Sequence, residues 1–210
     1  MSYLAHLAVG TGAPRLLRMR PSPTVQPLAV FDIDGVLADV RHRLLHVERR
    51  PKDWDAFFAA AVDDPVLEQG RELCLESAKD CEVVYVTGRP ETCRADTVAW
   101  FAQHGLPAGL LSMRNARDRR PARIAKPELL GRLSLGRVVA VVVDDDPQVC
   151  DAYEAAGWTV LRATWMTEAR ALHVAQEKDG GTEPASARRP GPAAAWATWR
   201  PLARAPRCVP

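Results

Sequence analysis

Five short apolar runs set the fold: Leu28–Ile33, Val83–Val86, Gly109–Met113, Val138–Val143 and Thr159–Leu161. Runs this apolar suit strands covered on both faces, the condition of a parallel sheet. Between them lie four stretches patterned as helices, Val66–Lys79, Pro90–His104, Pro127–Leu133 and Pro147–Ala156. Pro90, Pro127 and Pro147 each suit a first helical turn, and Gly105 and Gly157 stand where helices would end. Strand and helix in alternation predict an α/β protein, a three-layer open parallel sheet with helices on both faces. A chain of 210 residues holds one such domain of ordinary size. We place the domain at residues 28–175. Residues 1–27, rich in Pro and Arg, read as a flexible arm, and residues 176–210, rich in Pro, Ala and Arg, as a disordered tail. Ligands of such sheets bind beyond the carboxyl ends of the strands.

The end of the first run is the most distinctive. Asp32 and Asp34 follow Leu28–Phe31, and residues two apart in a strand point to the same face. Gly35 supplies the turn. Two neighbouring carboxylates repel unless a cation sits between them, and Mg²⁺ prefers oxygen ligands. An EF-hand loop is the rival reading, but Val36 is apolar where that loop needs oxygen. After the second run, Thr87-Gly88-Arg89 offers a hydroxyl, an accessible amide and a forked guanidinium to a phosphate, or else a plain strand-to-helix turn. After the fourth come Asp144, Asp145 and Asp146. Asp146 fits the cap of the helix that Pro147 begins, which leaves Asp144 and Asp145 to face Asp32 and Asp34. Lys126, just before the helix predicted from Pro127, reads by itself as a solvated lysine.

Taken in order, Asp-x-Asp-Gly, Thr-Gly-Arg, a lone Lys and an Asp-Asp pair, each at a strand end or helix start, resemble the haloacid-dehalogenase (HAD) superfamily of phosphohydrolases. The resemblance runs from about Leu28 to Arg162, with Val36 where many members carry Thr. More closely, Pro51–Phe57, Val84–Arg89, Met113-Arg114 with Asp118 and Arg119, Lys126 and Val142–Pro147 resemble the 3′-phosphatase half of phage polynucleotide kinase. The spacer between Asp39 and Asp53 differs, and no kinase P-loop occurs in this sequence. The resemblance implies a Rossmann-like HAD fold with a small insertion after strand 1, about Val40–Asp64, and no large cap domain. It implies Asp32 as nucleophile, forming an aspartyl-phosphate, and Asp34 as acid and base. It further implies Thr87, Gly88 and Arg89 as phosphoryl contacts and Lys126 as the balancing cation. Mg²⁺ would be held by Asp32, Asp34 (through its carbonyl) and Asp145, with Asp144 ordering water. The acid role asks for a raised Asp34 pKa, which acidic neighbours and partial burial would supply.

The open site implied by a small insertion suits bulky substrates. Arg114, Arg117, Arg119, Arg120 and Arg123 form a basic cluster that either contacts nucleic-acid phosphates, with Arg114 foremost, or balances the acidic site as a solvated loop. Trp54 and Phe57 either stack on a base or pack the insertion onto the domain. His42 and His46, at i and i+4, lack a third metal ligand and read as surface residues of a short basic helix. Five cysteines without zinc spacing fit reduced thiols in the cytoplasm. No apolar run approaches the roughly 20 residues that span a bilayer, and no basic n-region opens a leader. The expected activity is that of a Mg²⁺-dependent phosphomonoesterase acting on 3′-phosphate ends of nucleic acid. A phosphatase of small metabolites or nucleotides, of the 5′-nucleotidase kind, is the alternative. A non-catalytic binding module is disfavoured by the retention of Asp32, Asp34 and Lys126, and a phosphomutase by an insertion too small to exclude water. Neither a membrane nor an obligate protein partner is expected, although Trp196 and Trp199 in the tail could anchor one.

Overall fold

The computed structural model describes residues 25–115, 117–166 and 170–179. The arm through residue 24 and the chain from residue 180, with Trp196, Trp199 and Cys208, lie outside the described residues. Five parallel strands form one sheet in the order β3-β2-β1-β4-β5: β1 (Leu28–Phe31), β2 (Glu82–Pro90), β3 (Leu110–Arg114), β4 (Val139–Asp144) and β5 (Val160–Arg162). The chain winds outward from β1 through β2 to β3, then returns to place β4 on the other side of β1. The switch point therefore lies at the end of β1, beside Asp32.

Alternate residues of each strand enter opposite layers. Ala29, Phe31, Val83 and Tyr85 join Cys74 of α3 (Glu68–Ser77) and Trp100 and Phe101 of α4 (Arg94–Gln103) in one core. Leu28, Val30, Val84, Val86 and Val142 join Leu130 of α5 (Ala122–Leu133) and Val149 and Tyr153 of α6 (Pro147–Ala155) in the other. Each fully buried Val, Leu or Phe contributes roughly 1.5–3 kcal/mol, so a β1 covered on both sides is firmly fixed. The insertion after β1 contains two short helices, α1 (Leu45–Glu48) and α2 (Trp54–Ala59), and forms no separate domain. Trp54 and Phe57 pack edge to face at 5.6 Å, and both are buried, which decides between their two readings in favour of packing. A last helix, α7 (Arg170–Asp179), seats Leu172 and Ala175 in the first core. The expected domain end at residue 175 falls inside it.

Three boundaries differ from expectation. Strand β2 runs through Thr87-Gly88-Arg89 to Pro90, which pairs with Arg114, so the tripeptide is extended strand rather than a turn into a helix. Helix α4 starts only at Arg94, after a 3-10 turn over Glu91–Cys93. Helix α5 starts at Ala122, so Pro127 lies within it and cannot donate to the carbonyl four residues back. Lys126 thus sits on a helix, not ahead of one. Asp146 caps α6 as expected, its Oδ1 accepting from the amide of Gln148 at 2.8 Å. Cys74, Cys81, Cys93 and Cys150 are buried free thiols. No helix among the described residues is long and apolar enough to cross a membrane.

Candidate active site

Beyond β1 the chain turns tightly, with the Ile33 carbonyl accepting from the amides of Leu37 and Ala38 at 2.8 Å each. Gly35 is essential to this turn for two reasons. Its φ of 82° lies in the left-handed region, and a Cβ there would come 2.0 Å from Asp145 Oδ2. The missing side chain lets the end of β4 close onto the end of β1.

Asp32 and Asp34 are both buried, and they meet different partners. On the α5 side, Lys126 Nζ donates to Asp32 Oδ2 at 2.6 Å and to Asp144 Oδ2 at 2.8 Å. The lysine is buried; burial opposes its charge, but Asp144 and Asp32 outweigh that and raise its pKa well above the usual lysine range. Asp32 remains pushed up to about 7 by burial, because Asp144 and Asp34 add repulsion that Lys126 offsets only in part. Oxygens of Asp32, Asp144 and Asp145 lie within 4.8 Å of one another. Burial raises the pKa of both Asp144 and Asp145.

On the other side, Asp34 Oδ1 accepts from Arg43 Nη2 at 2.7 Å and from Arg89 Nη2 and Nε at 2.6 and 2.9 Å. Asp64 completes the group, accepting from Arg43 Nε and Nη2 at 2.7 and 2.6 Å and from Arg89 Nη2 at 2.7 Å. Two arginines and two aspartates thus balance charge in a closed, buried network. Burial would raise the pKa of Asp34, but the two guanidiniums win and hold it down at about 2. This reverses the expectation of a raised Asp34. The acidic neighbours invoked for it press on Asp32 instead, while arginines surround Asp34. Arg89 is likewise corrected as a phosphate fork, since Asp34 and Asp64 occupy its guanidinium.

The cation-site residues fit Mg²⁺. The donors are all oxygens, as a hard divalent cation prefers, and Asp32 Oδ1 is buried with no hydrogen-bond partner among the described residues. Thr87 is buried beside the site, its Oγ1 accepting from the Arg89 amide at 3.2 Å. Gly88 lies against Gln176 of α7. Arg114 is buried at the end of β3. Its Nη1 donates to the Arg120 carbonyl at 2.6 Å, while Nε and Nη2 have no partner among the described residues. It lines a cavity of about 240 Å³. Two other members of the basic cluster are less available, because Arg120 pairs with Asp118 and Glu128, and Arg123 with Glu177.

Four buried or half-buried residues at the site were not expected: Arg43, Asp64, His173 and Gln176. Arg43 sits in a run, Arg41-His42-Arg43, where nothing local separates it from its exposed neighbours. His42, as expected, lies at the surface, with Nε2 2.8 Å from Asp64 Oδ1.

A parallel sheet whose central strand ends in Asp-x-Asp, with an acidic pair at the end of the adjoining strand and a lysine reaching in from a helix, has the site of a HAD-type phosphatase. The sequence profile of the polynucleotide kinase PNKP phosphatase domain matches residues 26–165, about two thirds of the chain, and the protein belongs to that family. Among solved structures, a chain of the Pnkp1/Rnl/Hen1 complex superposes with a TM-score of 0.56 at 21% identity, over 72% of this chain and 50% of its own length. This protein thus spans about half of that relative. A HAD-like hydrolase, SP0104 from Streptococcus pneumoniae, superposes with a TM-score of 0.51 at 13% identity, over 72% of this chain and 91% of its own. Comparison with curated protein sequences finds no match.

Proposed function

We propose that the protein is a Mg²⁺-dependent phosphomonoesterase that works through an aspartyl-phosphate on Asp32 and takes 3′-phosphate ends of nucleic acid as substrate. The asymmetry of the Asp32 carboxylate carries this reading. Its Oδ2 is bonded to Lys126, and its Oδ1, buried with no hydrogen-bond partner among the described residues, is the oxygen left to attack phosphorus. Attack forms the Oδ1–P bond and breaks the bond to the leaving oxygen, which takes a proton from Asp34. Water then attacks the phosphorus and gives a proton to Asp34, and Asp32 departs as a carboxylate. Lys126 offsets the charge that builds between nucleophile and phosphoryl group, and Thr87 and Gly88 line the place its oxygens take. Asp32, Asp145 and the Asp34 carbonyl, with Asp144 beside them, would hold Mg²⁺, which would supply positive charge favouring ionised Asp32.

Asp34 starts ionised, so the acid role requires it to gain a proton as the substrate arrives. A dianionic phosphoryl group brings negative charge that opposes the two guanidiniums and favours that uptake. Oδ1 stays with Arg43 and Arg89, and Oδ2, with no partner among the described residues, is left to carry the proton.

The family, and the unpartnered nitrogens of buried Arg114, support a nucleic-acid 3′ end. A small phosphorylated metabolite is the second reading, favoured by the ion pairs that neutralise Arg120 and Arg123. A phosphatase screen with Mg²⁺ separates them, comparing 3′-phosphorylated DNA and RNA with 5′-nucleotides and sugar phosphates. Preference for 3′ ends that weakens with salt and with Arg114→Ala supports the first reading. Equal rates on small phosphates remove it.

A further inference from the structure

Helix α7 begins after the segment that the family profile matches, yet it closes on the site. Leu172 and Ala175, each 1% exposed, anchor one face in the core. Glu177 ties the helix to α5, pairing with the Arg123 side chain and accepting from its amide at 3.1 Å. Between these anchors Gln176 is buried against Gly88, where a Cβ would come 3.3 Å from its Nε2. One turn back, His173 Nε2 lies 2.8 Å from Asp145 Oδ2, with only 15% of the side chain exposed.

Asp145 is therefore confined from two directions. The backbone of Gly35 closes on its carboxylate so tightly that no side chain fits there, and the imidazole of His173 engages Oδ2. The ring engages one oxygen of a carboxylate that also belongs to the acidic cluster with Asp32 and Asp144. We infer that His173 is a positioning residue for the cation site: it donates Nε2–H to Asp145 and fixes that carboxylate in the orientation that completes the oxygen cluster. Carboxylates that bind metal ions are commonly held by such hydrogen bonds, and loss of the outer partner costs about 10–100-fold in metal affinity. This inference rests on the proposal that Asp32, Asp144 and Asp145 hold the cation. It is independent of which phosphate ester is cleaved.

Mn²⁺ titration of the full chain, followed by calorimetry and by the electron-spin signal of free Mn²⁺, tests it. His173→Ala should weaken Mn²⁺ binding about 10–100-fold. His173→Gln, which keeps a donor, should recover part of the loss. Val174→Ala, on the more exposed side of the same helix, should leave the affinity unchanged. At saturating metal, His173→Ala should turn over p-nitrophenyl phosphate with an unaltered KM. Mn²⁺ affinity in His173→Ala equal to or tighter than that of the unmodified protein overturns the assignment. So does a Val174→Ala variant weakened as much as His173→Ala, because the helix as a whole would then be responsible. If His173→Ala does not fold, the Gln variant decides: binding intermediate between wild-type affinity and none supports the role, and wild-type affinity in a variant whose carboxamide falls short of Asp145 overturns it. An unmodified protein that binds no Mn²⁺ overturns the cation site and this inference with it. One that binds Mn²⁺ with the expected dependence on His173 but cleaves no phosphate ester supports the inference and removes only the proposed reaction.

Discussion

Asp32 and Asp34 have the same side chain, the same depth of burial and one residue between them, yet their carboxylates are tuned in opposite directions. The Asp32 side holds one lysine among three carboxylates, and its pKa rises to about 7. The Asp34 side holds two arginines against two carboxylates, and its pKa falls to about 2. The difference comes from what the rest of the chain brings to each: α5 and β4 on one side, the insertion and β2 on the other. An acid-rich site leaves a charge deficit that a cation can fill, whereas a balanced network leaves none. The two sides thus divide into a half left acidic and a half that is already neutral.

The largest break in this comparison is Asp32→Asn. It removes the unpartnered oxygen nucleophile while an amide oxygen can still accept from Lys126, so turnover should fall by at least about a thousandfold with the fold retained. Rates on any accepted phosphate ester, with circular dichroism as control, check it. Next is Arg43→Ala, which leaves Asp34 and Asp64 with one guanidinium between them. Removing one partner of a buried ion pair costs about 3–5 kcal/mol, to be read from urea unfolding. A loss below about 1 kcal/mol would mean that the balanced half is not balanced by Arg43.

A smaller effect is expected from pH. Asp32 is raised in the folded chain, so its ionisation opposes folding, and the stability it contributes is present at low pH and lost as pH rises from about 4 toward 7. In EDTA, Asp32→Asn should therefore raise the melting temperature more at pH 8 than at pH 4. Mg²⁺ should narrow that gap, since it favours the ionised carboxylate. The smallest change should follow Arg120→Ala. Its pairs with Asp118 and Glu128 lie at the surface, where ion pairs contribute about 0–1 kcal/mol.

Legibility in the sequence follows the same divide. Asp32, Asp144 and Asp145 stand at the ends of apolar runs, so the rule that ligands gather at strand ends located them without tertiary information. Asp146 was legible as a cap for the same local reason. Lys126 was legible only by its order among the motifs. Pro127 misplaced its helix, because proline marks first turns on average and here sits inside α5. The Arg43–Asp64 pair was not legible: its members lie 21 residues apart, and only the fold of the insertion makes them neighbours. Helix α7 seats only Leu172 and Ala175 in the core and is otherwise mostly polar, too little apolar content to mark it, and with it His173 and Gln176 escaped notice.

The insertion after β1 is tied to the sheet by charge as well as by packing. It supplies Arg43 and Asp64 to a network whose other members, Asp34 and Arg89, belong to the sheet. If the insertion peeled away alone, each half would keep one ion pair, Arg43 with Asp64 and Arg89 with Asp34, but the two cross pairs, Arg43 with Asp34 and Arg89 with Asp64, would break together and expose four buried charges. Partial opening is therefore dearer than its few residues suggest. This segment behaves as a keystone of the sheet: the hinge-like freedom usual for a small excursion between two elements is closed to it, and it comes apart when the domain does.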